Sequence, residues 1–259
     1  MSELIISTWK KYIEEYSILP IAELEQSCWS PWLAAPLESL AGRAEVFPDG
    51  QLCVYSGLGM LATLSVNRIQ WDGQPKSLPT WDGVAGEPTT YENTFTQAGN
   101  TLCLMSMNVS EQGRGQQLPK QLITSLLEYA ATSATETTNV IGSFRPSAYS
   151  EAVLVASLDQ RKQPPTFEEY CDMKNEDGFP VDPWLRSLTK NGMQPVSVDH
   201  RAMYVPVTKQ EFEDIKQPSW KLIKLDNQDV WWCGETGFFY PQSDGNYVYI
   251  ESNLWGSLK

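Results

Sequence analysis

Apolar residues recur at Ile5, Ile6, Trp9, Ile13 and Tyr16, with Lys10, Lys11, Glu14 and Glu15 largely on the other side. This spacing predicts an amphipathic helix at the start of the chain. After a turn region at Trp29 to Trp32, the stretches Arg43 to Tyr55 and Met60 to Trp71 predict two strands. Turn chemistry at Pro48-Asp49-Gly50 and Ser56-Gly57-Leu58-Gly59 makes them part of an antiparallel meander. Residues 72–100 are rich in Gly, Pro, Thr and Asn and predict a long loop. A loop of that length in a compact domain is expected to cover a site.

The next segment is the informative one. Thr101 to Val109 is an apolar run of strand length, followed by Ser110 to Gln117, which carries Gly113 and Gly115. Leu118, Leu122, Ile123, Leu126, Leu127, Ala130 and Ala131 then form a helical stripe, with Pro119 in the first turn, where its missing N–H costs nothing. The unit reads strand, glycine loop, helix. The first amides of a helix have no partner within it, and the aligned peptide dipoles place partial positive charge there, so such a loop suits a diphosphate. Gly113 and Gly115 leave room for phosphate, Gly113 is expected to adopt a positive φ, and Arg114 would add a charge-assisted contact. The Rossmann G-x-G-x-x-G and the P-loop Gly-Lys-Ser/Thr are both missing, which excludes those two nucleotide sites.

Further along, Asn139 to Phe144 predicts a strand ending just before Arg145, Ser147 and Tyr149, and Ala152 to Ala156 is another apolar run of strand length. The C-terminal part predicts a helix around Glu211 to Ile215 and aromatic strands around Lys221 to Trp232 and Gly245 to Ile250. Asp244-Gly245 marks a hairpin between Phe238 to Tyr240 and Tyr247 to Tyr249. Three segments follow: 1–40, helical; 41–165, the core with the glycine loop; and 166–259, completing and extending the fold.

Composition narrows the function. With 259 residues, 41% of them hydrophobic and 20% charged, the chain is an ordinary folded protein. A net charge of −13 with no cluster of Lys and Arg argues against nucleic acid as a partner. Ile5 and Ile6 are soon followed by charges, and no run approaches the ~20 apolar residues of a membrane span, so neither export nor a membrane partner is expected and the location is read as cytoplasmic. The five cysteines are scattered, with no C-x-x-C pair, and His200 is the sole histidine, so no metal is expected. Ten tryptophans leave open whether Trp71, Trp81, Trp184 and Trp255 fill the core or line an apolar pocket.

Gln112-Gly113-Arg114-Gly115 after a strand resembles the acyl-CoA motif of the GNAT (GCN5-related N-acetyltransferase) superfamily, [Q/R]-x-x-G-x-[G/A]. Gln117 departs from it, standing where that motif carries Gly or Ala, and the run from Val109 to Gln112 is shorter than usual. Further phrases resemble a GNAT-like acyltransferase and decarboxylase subgroup associated with polyketide and natural-product pathways: Ile69 to Gly73, Leu78 to Trp81, Ser106 to Val109, Phe144 to Ser147, Asp177 to Arg186 and Glu251 to Trp255.

The resemblance implies an α/β (α+β) GNAT fold, a mixed central sheet splayed between two strands and flanked by helices, with a β-rich C-terminal extension. It implies acetyl-CoA or another acyl-CoA as co-substrate, with Met107, Asn108 and Val109 along the pantetheine arm and Gln112, Gly113, Arg114, Gly115, Gln116 and Gln117 around the phosphates. A strand amide would donate to the thioester oxygen. For the chemistry it points to Tyr149 as acid, Ser147 as a hydrogen-bonding group and Arg145 as a carboxylate or phosphate holder. The expected activity is acyl transfer to a small-molecule amine. The alternatives are malonyl-CoA decarboxylation with transfer to an acyl-carrier protein, and a silent acyl-CoA-binding module. Decarboxylating relatives are taken to use a Thr and a His; Ser147 aligns with the first and Leu188 with the second, and Leu188 cannot move a proton.

Overall fold

The computed structural model describes residues 3–159 and 163–259. One compact unit runs to Ser143 and takes in Ser257–Lys259; the other is Phe144–Gly256.

In the first unit the elements are β1 (Ile5–Thr8), α1 (Trp9–Glu15), α2 (Leu19–Cys28), α3 (Leu37–Val46), β2 (Gln51–Ser56), β3 (Gly59–Ile69), α4 (Trp81–Ala85), β4 (Thr101–Val109), α5 (Leu118–Thr132) and β5 (Asn139–Phe144). The strands pair in the order β1-β2-β3-β4-β5. The first three pairings are antiparallel and β4 with β5 is parallel.

The expected helix at the start of the chain divides in two. Ile5 and Ile6 belong to a strand that pairs with Tyr55 and Val54, and the helix begins only at Trp9, capped by Thr8 Oγ1. Two β-branched isoleucines beside Thr8 favour extended backbone once a partner strand is present. Arg43 is also reassigned. It lies in the last turn of α3, and β2 starts after the short 3-10 turn Pro48–Gly50. Here the apolar residues Leu40 and Ala44 form a helical stripe that joins Trp9, Tyr12, Ile21 and Cys53 in one core cluster.

The segment 72–100 is anchored at both ends and in its middle. Asn100 exchanges side-chain bonds with the Trp71 backbone, Thr96 N donates to Arg68 O (2.8 Å), and the fully buried Tyr91 meets Ser65 Oγ at 2.6 Å.

The second unit contains α6 (Tyr149–Leu158), α7 (Phe167–Asp172), α8 (Pro183–Lys190), β6 (Gln194–Val207), α9 (Lys209–Ile215), β7 (Lys221–Leu225), β8 (Gln228–Trp232), β9 (Phe238–Pro241) and β10 (Tyr247–Ser257). The run Ala152 to Ala156, of strand length in the sequence, lies within α6. The β7-β8-β9-β10 ladder is antiparallel, and β6 pairs with β10. The hairpin at Asp244-Gly245 forms as expected, with Gly245 at φ 86°. Its apolar face is aromatic: Phe212 stacks on Tyr247 at 3.7 Å and Trp220 on Phe239 at 5.3 Å. No helix among the described residues is long and apolar enough to cross a membrane.

Candidate functional site

The glycine loop leaves β4 through a tight turn. Ser110 N donates to Leu61 O (2.8 Å), and Ser110 Oγ accepts from Gly113 N (3.1 Å), so residues 111–113 form one turn of 3-10 helix. Gly113 is required for packing rather than for a positive φ, which corrects the expectation above. A Cβ there would lie 2.8 Å from Leu61 O and 2.9 Å from Leu118 Cδ1. The left-handed positions are Gly115 (φ 78°) and Gln117 (φ 57°). Gly115 faces open space. Gln117 is the N-cap of α5, and its left-handed backbone gives the physical reason a glycine suits that position.

In this conformation only some of the loop's amides are used within it. Gly113, Arg114 and Gln116 donate within the loop, and Gln121 N reaches back to Gln117 O (3.2 Å). The amides of Gly115, Gln117, Leu118 and Lys120 donate to no group among the described residues, and Pro119 has none to offer. Gln112, Arg114, Gln116 and Gln117 are exposed around them. Gln116 Nε2 to Gln112 O (2.7 Å) and Gln121 Nε2 to Gln116 O (3.1 Å) brace the loop. A groove of 650 Å³ continues from Gly115 along α5, past Lys120 and Thr124 to Glu128.

The approach to this loop runs along β4. Its pairing with β5 spans Thr101↔Asn139 to Leu104↔Gly142, and residues 105–109 continue beyond that register. The strand's pairing with β3 slips at the same place: Ser65 faces Ser106 and Val66 faces Leu104, leaving Met105 as the extra residue. Met107 and Val109 are half-buried. Asn108 differs from the expectation that its side chain lines an arm. It is enclosed between Glu25 Oε2 (2.6 Å), Thr63 Oγ1 (3.2 Å) and Trp29 Nε1 (2.7 Å). Glu25 is itself buried and also accepts from Ala35 N (3.1 Å), so the network ties α2 and the following turn to the back of β4. The sequence reading missed it because its members lie 45 to 83 residues apart.

In the second unit, the three residues singled out for chemistry have different surroundings. Arg145 is held by protein carboxylates, with Nη2 donating to Glu235 Oε2 (2.9 Å) and Glu251 Oε2 (2.8 Å), so its guanidinium is not presented as a holder of an incoming anion. Tyr149 is buried among Phe167, Tyr170 and Phe238. Burial, reinforced by Tyr240 and Asp226, pushes its hydroxyl well above the ordinary tyrosine range, which makes it a poor proton donor. Ser147 is exposed, and its Oγ lies 3.4 Å from Asp182 Oδ2. Asp182 stood in the sequence only as part of the Asp177 to Arg186 phrase, with no role assigned to it. It is fully buried and accepts from Ala148 N (2.9 Å), Trp184 N (3.0 Å), Leu185 N (2.9 Å) and Tyr170 OH (3.3 Å), so it pins the starts of both α6 and α8. Leu188 is buried, and His200 is exposed on β6, 2.7 Å from Glu168 Oε1.

No protein-family model matches the sequence, and no curated protein matches it. Solved structures do. The GNAT-like decarboxylase GphF, in complex with isobutyryl-CoA, superposes with a TM-score of 0.61 at 18% identity, covering 98% of this chain and 100% of its own. The loading GNATL domain of CurA from Lyngbya majuscula gives 0.58 at 20% identity over 76% of this chain and 87% of its own. Malonyl-CoA decarboxylase from Agrobacterium vitis gives 0.56 at 14% identity over 77% of this chain, which spans only 55% of that protein. The chain therefore has the GNAT fold, with its mixed sheet, and resembles the GNAT-like domains within it.

Proposed function

We propose that the chain is an acyl-CoA-dependent acyltransferase that passes an acyl group, acetyl in the simplest case, to a small-molecule amine. The observation that carries this reading is the row of unpaired amides at Gly115, Gln117, Leu118 and Lys120, reached along the part of β4 that continues past β5. Amides with a helix dipole behind them complement a diphosphate without any side chain. Lys120 and Arg114 add positive charge at the loop of an otherwise acidic chain. Met107 and Val109 present half-buried apolar surface suited to a pantetheine arm.

In this reading the neutral amine attacks the thioester carbon, the C–N bond forms and the C–S bond breaks. The amine's proton leaves to solvent and the sulfur departs as thiolate or, after protonation, as thiol. The protein's contribution is mainly positioning, together with a strand amide offered to the oxygen on which charge grows.

A second reading, malonyl-CoA decarboxylation with transfer to an acyl-carrier protein, is favoured by the solved relatives, two of which are described as decarboxylases and one as a loading domain. The buried Leu188 and the exposed His200 weigh against it, since neither places an imidazole in a cleft.

Calorimetric titration of coenzyme A into the protein tests the phosphate site. Gly115→Asp is the informative variant, because aspartate tolerates the left-handed backbone and no atom crowds the position, while its carboxylate would repel phosphate. Affinity is expected to fall at least about tenfold, with Gly115→Asn close to wild type. Free thiol from acetyl-CoA that appears only when an amine is added supports amine transfer. CO₂ from malonyl-CoA would replace it with the second reading.

A further inference from the structure

We infer that Glu25 is a positioning residue for the pantetheine arm, acting through Asn108 on the backbone of β4; the inference rests on the acyl-CoA reading above. β4 and β3 are antiparallel, so the backbone groups of successive residues point alternately toward β3 and away from it. Ser110 N donates to Leu61 O, which fixes the phase. Asn108, opposite Thr63, turns its N–H and C=O toward β3, and Met107 and Val109 turn theirs to the other side. On that side the ladder with β5 ends at Leu104↔Gly142. The amides of Met107 and Val109 therefore donate to no group among the described residues, and Val109 O meets Cys28 Sγ at 3.8 Å. A strand edge of this kind takes an extended ligand that carries amides of its own, and the pantetheine arm is a diamide.

Beyond Leu104 this stretch of β4 has a neighbouring strand on one side only, and Asn108 ties it down from its face. The side-chain amide is used at both ends. Nδ2 donates to Glu25 Oε2 (2.6 Å) and Thr63 Oγ1 (3.2 Å), and Oδ1 accepts from Trp29 Nε1 (2.7 Å). An indole only donates and a carboxylate only accepts, so the amide cannot flip. Glu25 is 4% exposed, and its other oxygen accepts from Ala35 N (3.1 Å). Burying a carboxylate is costly, and what this one supplies is an acceptor for two donors at once. Glutamine has the same shape but one acceptor oxygen, so it would turn its own N–H toward either Ala35 N or Asn108 Nδ2.

With the Asn108 side chain fixed, the peptides on either side of it hold Met107 N–H and Val109 N–H at a set spacing and direction. Donors held in place before binding leave less ordering to be done when the ligand arrives. Glu25 therefore contributes to affinity for the arm and not for the diphosphate, which meets the free loop amides of Gly115 and Gln117.

The test compares wild type with Glu25→Gln and with Trp29→Phe, which takes away the donor to Asn108 Oδ1. The ligands are coenzyme A and its phosphoadenosine diphosphate half, which keeps the diphosphate and lacks the arm. Both substitutions are expected to weaken coenzyme A about tenfold while leaving the nucleotide half within about twofold. Hydrogen exchange gives a second readout, on the wild type itself. Coenzyme A is expected to slow exchange of the Met107 and Val109 amides, the nucleotide half to leave it unchanged, and Glu25→Gln to lose most of the slowing. Equal losses for the two ligands, or no loss for either, would overturn the inference, because a purely structural carboxylate would not single out the arm. Met107 and Val109 amides that exchange as fast with coenzyme A bound as without it would also overturn it, while leaving the loop as the phosphate site. Failure of the wild type to bind coenzyme A would overturn both the inference and the acyl-CoA reading.

Discussion

Arg145 and Glu251 form a close ion pair in the second unit: Nε lies 2.8 Å from Oε1 and Nη2 donates to Oε2 at 2.8 Å. Glu251 is completely buried, and it also accepts from Tyr249 OH (2.7 Å), whose oxygen in turn accepts from Gly237 N (3.0 Å). Glu235 completes the set at 2.9 Å. Burial alone would lower the Arg145 pKa, but Glu251, Tyr249 and Glu235 outweigh it and the guanidinium is held protonated.

Removing the guanidinium leaves an uncompensated carboxylate in the interior. Arg145→Met is therefore expected to destabilise the fold by about 3–5 kcal/mol, whereas the double variant with Glu251→Gln should recover part of that loss. Urea unfolding of the three proteins decides it: a single variant within error of wild type would show that the pair contributes nothing.

The two halves of the glycine loop should respond in opposite ways to a change of one residue. Gly113→Ala puts a methyl group 2.8 Å from Leu61 O and 3.1 Å from Val109 Cγ1 and should cost about 1–3 kcal/mol through overpacking. Gln117→Gly relieves a side chain held at φ 57° and should stabilise by about 1 kcal/mol. Thermal and urea midpoints read both. Equal signs for the two substitutions would contradict this account of the loop.

That loop also shows how far the sequence is legible. β4, the helix after it and β5 stand out from Thr101 to Phe144 because a long apolar run, a glycine pair and a proline in the first helical turn follow one another with no competing pattern. The N-terminal part is harder to read. Ile5 and Ile6 fit a helical stripe and a strand equally well, and the partner strand that decides between them lies nearly 50 residues away. The same reason hides the polar contacts inside each unit. Asn108 meets Glu25 across 83 residues and Arg145 meets Glu251 across 106, and no local spacing records such contacts. Gln117 was visible as a departure from a motif, but its left-handed backbone was not.

His200 and Glu168 test the role of the one histidine. Both side chains are substantially exposed, at 65% and 48%, so the pair is screened by solvent and should contribute under about 1 kcal/mol. His200→Ala is expected to leave both stability and thiol release from acetyl-CoA close to wild type. A loss of turnover with unchanged stability would place this imidazole in the chemistry and revive the decarboxylation reading.

The buried thiols make stability depend on alkaline pH. Cys53 is fully enclosed between β1 and β3, and burial pushes its pKa from the ordinary 9.0 up to about 12. The folded thiol therefore keeps its proton where the unfolded one has lost it. Between those two values the folded state binds more protons, so stability falls as pH rises; the contribution is fully present below pH 9 and is lost as pH climbs through about 12. Each such group contributes a slope of about 1.4 kcal/mol per pH unit. Cys171 and Cys233, raised to about 12 with burial as the largest cause, act in the same direction. Urea midpoints measured from pH 8 to 11 should stay level at first and then decline, and Cys53→Ala, although less stable at pH 8, should decline less steeply. Identical alkaline slopes for the two proteins would show that Cys53 titrates in the folded state as it does in the unfolded chain.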